Sequence, residues 1–289
     1  MRKWFRKFVS SGFFIPLILL LPYVCTIVLN GADKALLLYS PEEEKLLPLV
    51  LMVQMKGDYE EEAVMAQAVI ARSEVYRRLE KGENERGIFC EVSKKAAEKK
   101  YLSGYEKLWY WLSMEALLQQ YEKAVDATVG QVLTYNGKLK PVPYHEISNG
   151  KTRDGTEVFH SEEYAYLKSV DSSQDKESPD YINSTYVPVD QLPSNLIIKK
   201  RDSAGYVTAL TADGNWLEGE TFRQGLHLAS ADFSVQKVGK MARFLCKGKG
   251  HGLGFSQYGG NEMAKNGSSW EEILEAYFPE MEIEKRKRS

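Results

Sequence analysis

The chain has 289 residues, of which 43% are hydrophobic, and is therefore long enough to bury the core of one or two domains. Its formal net charge of -2 at pH 7 provides no general attraction for a polyanion, so we predict no nucleic-acid partner. The four histidines stand at 145, 160, 227 and 251 without a compact zinc spacing. We therefore predict no metal and no other cofactor.

The N-terminal segment predicts a membrane anchor. Residues 8–29 contain no charged side chain and match the roughly 20 apolar residues that a membrane-spanning helix needs. Residues 1–7 are basic, so the positive-inside rule keeps this end in the cytoplasm. We expect a single-pass protein of the cell membrane, with a linker at 30–40 and a domain that faces the cell wall. A cleaved signal peptide is the alternative, but the apolar segment is long for one.

The region from Pro41 to Val129 has a composition typical of helices. The apolar run between Pro41 and Tyr59 predicts a buried helix or strand. Asp58 is predicted to cap a following helix, whose alanines allow close packing against a neighbour. The stretch from Ser93 to Val129 is rich in Ala, Glu, Lys and Leu, which favour helix. The first half of the domain should therefore be helix-rich.

From Val132 onward, short strand-like runs alternate with turn dipeptides such as Asn136-Gly137 and Asp213-Gly214. The polar stretch 172–180 is predicted to be a flexible insertion. Near the C-terminus we expect two short helices, the second capped by Ser268 and ending before Pro279, followed by a basic tail at 281–289. The predicted fold class is α+β, with one extracytoplasmic domain at 41–280 whose second half is strand-rich.

The segment KGKGHGLGFSQYGG at 247–260 is rich in glycine. Its glycines allow the backbone to lie close to a ligand or to another strand. The spacing matches neither the dinucleotide fingerprint nor the phosphate-binding loop, and it misses the lipase elbow by one residue. A serine hydrolase that uses Ser256 and His251 is a less favoured alternative, because Ser256 can equally cap the helix that follows.

Four segments, in order, resemble the SpoIID/LytB family. They are EEAVMAQAVIARS at 61–73, YHEISNGKTRDGTEVF at 144–159, LEGETFRQGLHLASADF at 217–233, and the glycine-rich segment. The family's best-known activity is cleavage of peptidoglycan glycan strands. The resemblance therefore implies a lytic transglycosylase of sporulation, acting during engulfment on strands whose stem peptides have been removed. It also implies a peptidoglycan amidase and membrane proteins of engulfment as partners.

The chain departs from the family at one position that matters for catalysis. Active members carry a glutamate thirteen residues before the helix glutamine, and here that position is Gln54. Glutamine has no titratable proton, and loss of a general acid or base costs about a hundred- to ten-thousand-fold in rate. Two interpretations stay open. Another carboxylate, such as Glu74, Glu146 or Asp154, replaces the acid, or the protein is a catalytically silent glycan-binding module or amidase activator.

Eight residues are predicted to bind the strand, from the family segments and from their polar character. Arg72 is expected to line the cleft because it is a cation on an otherwise small-residue helix face. Four tryptophans, at 109, 111, 216 and 270, could stack on sugars, although core packing is the stronger expectation. The predicted binding residues are Gln54, Gln67, Arg72, His145, Ser148, His251, Ser256 and Gln257.

Overall fold

The computed structural model describes residues 43–55, 59–98 and 104–286, and Glu43–Ser289 form one compact unit. The predicted basic end at 1–7, the anchor at 8–29 and the linker at 30–40 lie outside the described residues. In the described part of the chain, no helix combines the length and the apolar character needed to cross a membrane.

Helices dominate the first half, as predicted. The apolar run after Pro41 is helical. The helix that follows, Glu61–Glu80, has Glu60 at its N-cap position and no side-chain cap, so the prediction that Asp58 caps it is wrong. Glu61 and Glu62 still lie in the first turn, where their charges suit the helix dipole. The four helices are α1 (Glu43–Gln54), α2 (Glu61–Glu80), α3 (Glu85–Glu98) and α4 (Gly104–Ala127).

The second half consists mainly of short strands, as predicted. Between the strands Val207–Ala212 and Asn215–Glu218, Asp213 and Gly214 have φ values of 49° and 86°, which is the positive-φ pair that a tight hairpin turn requires. The strands are β1 (Gln131–Thr134), β2 (Tyr144–His145), β3 (Ile182–Pro188), β4 (Leu196–Arg201), β5 (Val207–Ala212), β6 (Asn215–Glu218), β7 (Phe233–Val238), β8 (Met241–Lys247), β9 (Phe255–Ser256) and β10 (Glu282–Lys285).

The strands pair in four small sheets. β1 pairs with β10 in an antiparallel arrangement, β2 pairs with β9 in a parallel one, and two three-stranded antiparallel sheets have the orders β3-β8-β7 and β4-β5-β6. The stretch 281–289 was expected to be a solvated tail, but residues 282–285 form β10. They are therefore part of the fold, because pairing with β1 satisfies their backbone groups.

The described second half also contains three 3₁₀ helices, at Glu162–Tyr164, Ser173–Glu177 and Val189–Gln191, and four short α-helices: α5 (Gly155–Phe159), α6 (Gly219–Gly225), α7 (Gln257–Lys265) and α8 (Trp270–Tyr277). The capping box of α8 is formed by Ser269 and Glu272, one residue later than predicted from Ser268. The helix ends before Pro279, as predicted.

Three apolar clusters form the core of the described residues. Helix α2 contributes to two of them: Val64 and Ala68 pack with α1 and α4, whereas Val69 and Ile70 pack with α8 and the loops around it. The third cluster lies between the two three-stranded sheets and α6, which contributes Phe222. Of the four tryptophans considered for sugar stacking, Trp270 packs against the first two clusters. Trp216 is 64% exposed. The side chains of the tryptophans at 109 and 111 lie outside the described part. Because α2 is buried along most of its length, its polar side chains must find partners inside the protein.

Candidate functional site

Three glutamines from distant parts of the chain meet at the end of α1. Gln67 Nε2 donates to Gln54 Oε1 over 2.8 Å, and Gln257 Nε2 donates to Gln67 Oε1 and to the backbone oxygen of Gln54, each over 3.1 Å. Gln67 and Gln257 are buried, whereas Gln54 is half-buried. The two buried amides therefore orient the third, and we call these three residues the glutamine cluster.

The direction of the bonds determines which group the cluster presents. Since Gln54 Oε1 accepts from Gln67, the Nε2 group of Gln54 is the donor that ends the chain of bonds. This donor has no hydrogen-bond partner among residues 43–55, 59–98 and 104–286. The cluster can thus offer a hydrogen bond to a ligand oxygen at position 54.

Ser256 positions Gln257 at the start of α7. Its buried hydroxyl accepts a hydrogen bond from the backbone N–H of Gly259 over 3.3 Å and donates to Asp175 Oδ1 over 2.9 Å. This is the role of a helix cap. The hydroxyl bonds Asp175 and not His251, so the serine hydrolase alternative is excluded.

A buried carboxylate holds the loops of the site together, and the sequence did not predict it. Asp175 lies in the stretch 172–180, which was predicted to be flexible, yet it is fully buried. It accepts hydrogen bonds from Ser148 N over 2.7 Å, from Ser172 Oγ over 3.0 Å and from Ser256. Burial raises the pKa of Asp175, although these donors oppose the shift. One local feature of the sequence could have indicated that Asp175 is ordered: Ser172 stands three residues before it, a spacing typical of the first turn of a helix.

The two predicted histidines lie together, with ring centroids 5.8 Å apart. His145 Nδ1 is 3.0 Å from the backbone oxygen of Leu253, and a carbonyl only accepts, so Nδ1 carries the proton. His251 Nδ1 accepts from the backbone N–H of Leu253 over 3.1 Å. Burial lowers the pKa of His145 to about 3 and also lowers that of His251. Two neutral histidines therefore hold the glycine-rich segment at Leu253: His145 bonds its backbone oxygen, and His251 bonds its backbone N–H.

The glycines of this segment serve packing inside the protein. Gly252 and Gly254 have positive φ values of 77° and 64°, and a Cβ atom at either position would collide with Tyr206 or with the backbone oxygen of Pro143. The close approach predicted for these glycines is therefore made to other parts of the chain.

Comparison with known proteins identifies the family of the chain. The model of the family described as stage II sporulation protein matches residues 38–135. The chain is 31% identical over 257 residues to stage II sporulation protein D of Bacillus amyloliquefaciens and of Bacillus subtilis (strain 168), covering 84% of this chain and 74% of each relative. The chain belongs to the SpoIID family. It is also 26% identical over 251 residues to an uncharacterized protein of Brachyspira hyodysenteriae, covering 81% of this chain and 64% of that protein.

Arg72, in a family segment, lies in the protein interior and has no exposed side-chain surface. Its guanidinium pairs with Glu44 at 2.8 Å and donates to the backbone oxygens of Val125 and Gln131 and to Thr128 Oγ1. All of its polar groups point at protein partners. This placement differs from the expectation that Arg72 lines a cleft.

Of the three carboxylates considered as substitutes for the family acid, Glu146 is tied to α7. Its backbone oxygen accepts from the N–H of Tyr258, the residue after Gln257, over 3.0 Å. Its carboxylate pairs with Lys249 at 2.6 Å and is 30% exposed. Burial, together with the nearby charge of Glu146, raises the pKa of Tyr59 to about 12. Glu146 therefore lies on the same side of the SpoIID domain as the start of α7 and Tyr59.

The other two carboxylates have structural partners. Asp154 is the N-cap of α5 and accepts from the backbone N–H groups of Thr156 and Glu157. Glu74 accepts two hydrogen bonds from Arg77, one turn further along α2. Both carboxylates are therefore engaged in local structure.

Proposed function

We propose that the protein has a cell-wall function in sporulation and that it binds peptidoglycan glycan strands through the glutamine cluster. Membership of the SpoIID family supports the cell-wall and sporulation parts of this proposal. The observation that carries the binding part is the Nε2 donor of Gln54, which has no partner among the described residues and is oriented by two buried amides.

The chemistry of position 54 favours binding over turnover. The resemblance puts the acid of active relatives at this position, and an amide cannot deliver a proton to a glycosidic oxygen. It can donate a hydrogen bond to the hydroxyl, ring or acetamido oxygens that a glycan strand presents along its length. The rest of the cluster suits a carboxylate at position 54 as well, since Gln67 donates to that position.

A second candidate function is a lytic transglycosylase that uses Glu146. It is favoured by one observation, namely that Glu146 is joined to α7 beside Gln257 and carries a partly exposed carboxylate. Catalytic groups need to meet in space rather than in sequence, so an acid from another segment can replace the missing one.

Location and partners belong to the same proposal. The apolar stretch at 8–29, with basic residues before it, supports a single-pass anchor that keeps the domain on the cell-wall side of the membrane. A peptidoglycan amidase that strips stem peptides would supply the strands, and membrane proteins of engulfment would be its neighbours.

The test uses the full-length chain in detergent with glycan strands that lack stem peptides. Strand binding is measured by co-sedimentation, and cleavage by mass spectrometry of 1,6-anhydro ends. We expect the wild-type protein to bind without cleaving and Gln54→Glu to generate 1,6-anhydro ends, whereas the matched surface variant Gln236→Glu stays inactive.

Other outcomes separate the two candidates. Cleavage by wild type that disappears in Glu146→Gln would establish the transglycosylase instead. Failure of both wild type and Gln54→Glu to bind strands would refute the glycan proposal altogether.

A further inference from the structure

A concave region of about 340 Å³ lies beside the glycine-rich segment, and no member of the glutamine cluster lines it. Its walls come from α5, from β5, from the β6–α6 junction and from His251 and Leu253. This volume is at the lower end of the range for small-molecule sites, and it has room for one sugar ring or one amino-acid side chain.

The lining of this pocket is acidic. It contains Glu157, Glu218 and Glu220 but one arginine, Arg153. The arginine is already neutralised, because its Nε lies 2.6 Å from an oxygen of Asp202 and both side chains are almost fully buried. Burial lowers the pKa of His251, so this histidine adds no positive charge at neutral pH.

Two of the glutamates have no counter-ion within the described part of the chain. Glu157 accepts a hydrogen bond from the backbone N–H of Ser203 over 2.9 Å, and Glu218 accepts one from Thr221 Oγ1 over 3.1 Å. Both side chains are exposed, and they come from different walls of the pocket. In the described structure, the pocket therefore holds two negative charges that are not paired with a cation.

A third glutamate adds an unsatisfied oxygen. Glu220 Oε1 accepts hydrogen bonds from Arg223 and Gln224, whereas Oε2 is buried and has no partner among the described residues. A buried anionic oxygen without a donor is unfavourable. A positive charge placed in the adjoining pocket would reduce that cost.

The remaining wall is apolar and aromatic. Phe159 is 44% exposed, and its ring packs 4.1 Å from that of Tyr164, measured between centroids. Val158, Val207 and Leu253 complete this wall. An exposed ring face packs well against the C–H face of a sugar or against a cation.

We infer that this pocket binds a compact ligand with a primary ammonium group, which Glu157 and Glu218 hold by charge while its apolar face packs on Phe159. Two sources share this chemistry. One is a sugar of a glycan strand whose acetamido group has been converted to a free amine, and the other is the side-chain amine of a diamino acid in a peptide. The glycan source rests on the proposed function, whereas the preference for an ammonium group does not.

The test is a titration of the full-length chain with glucosamine, N-acetylglucosamine and lysine amide. Binding is measured by isothermal titration calorimetry and by ligand-observed NMR. We expect the two amines to bind more tightly than N-acetylglucosamine and to bind less tightly as salt is raised. The double substitution Glu157→Gln/Glu218→Gln should weaken amine binding by roughly threefold or more. Glu275→Gln, which removes an exposed charge from α8, is the matched control and should leave it unchanged.

The order of the two amines identifies the source. Tighter binding of glucosamine indicates the amino sugar, and tighter binding of lysine amide indicates the peptide amine. The inference is overturned if no amine binds, if N-acetylglucosamine binds as well as glucosamine, or if the double variant binds amines like wild type.

The same variants separate this inference from the proposed function. Gln257→Leu should weaken binding of acetylated strands and leave the affinity for glucosamine unchanged, once its thermal unfolding shows that it is folded. Loss of one binding activity without the other shows which of the two conclusions has failed.

Discussion

Gln67 donates from its side-chain amide to Gln54 Oε1 over 2.8 Å, and this single bond connects helix α2 to the end of α1. The donor is an N–H group, so its partner can be the oxygen of an amide or of a carboxylate. The site is therefore built to hold either residue at position 54, although only a glutamate there can transfer a proton.

The first prediction concerns stability at position 54. Gln54→Leu should lower the free energy of unfolding by about 1–3 kcal/mol, because it leaves the buried amide of Gln67 without an acceptor. Gln54→Glu should change it by less than about 1 kcal/mol, since a carboxylate oxygen can accept the same bond. Urea denaturation of the three proteins provides the comparison, and equal losses in both variants would contradict this account.

The second prediction concerns Arg72. Arg72→Met should destabilise the protein by about 3–5 kcal/mol, because Glu44, only 11% exposed, would lose its counter-charge. Arg72→Lys should recover only part of this loss, since an ammonium cannot reproduce the forked contacts of a guanidinium. Thermal and urea unfolding report the effect, with Arg243→Met, which removes a surface bond to Ser184, as control. A folded Arg72→Lys protein that had lost strand binding would instead support a cleft role.

The third prediction concerns pH. The pKa of His145 falls from 6.5 to about 3 on folding, so the unfolded state binds more protons between these values and stability falls as the pH is lowered from 6.5 towards 3. At pH 5 this amounts to about 2 kcal/mol. His145→Gln retains a donor for the Leu253 carbonyl but cannot titrate. Its free energy of unfolding should therefore drop less between pH 7.5 and 5, and parallel pH profiles for the two proteins would rule this out.

The fourth prediction concerns the buried carboxylate. Asp175→Asn should cost about 1–3 kcal/mol, because the new amide cannot accept from Ser148, Ser172 and Ser256 at once. It should also weaken strand binding, since Ser256 sets the start of α7 and so the place of Gln257. Asp171→Asn, at an exposed position four residues earlier, is the control. An Asp175→Asn protein as stable as this control would disprove the structural role.

Local rules explain what could be predicted from the sequence. The helical first half follows from composition, and the Asp213-Gly214 hairpin follows from the positive φ that these residues tolerate. Where the prediction failed by one or two residues, as at the caps of α2 and α8, neighbouring polar residues compete for the same role. The four motif segments were sufficient to establish the family, because their order along the chain is specific.

The sequence by itself thus determined the types of the main elements and the family, and it predicted that Gln54 stands where active relatives carry an acid. Only the tertiary structure decided which polar side chains meet: Gln257 reaches Gln67 across 190 positions, and Asp175 reaches Ser256 across 81. It also decided that Arg72 is buried. Its ion-pair partner, Glu44, lies on another helix, so the pattern of residues along α2 could not reveal the pair. Periodicity and propensity describe a residue's own element, whereas burial and hydrogen bonding depend on what packs against it.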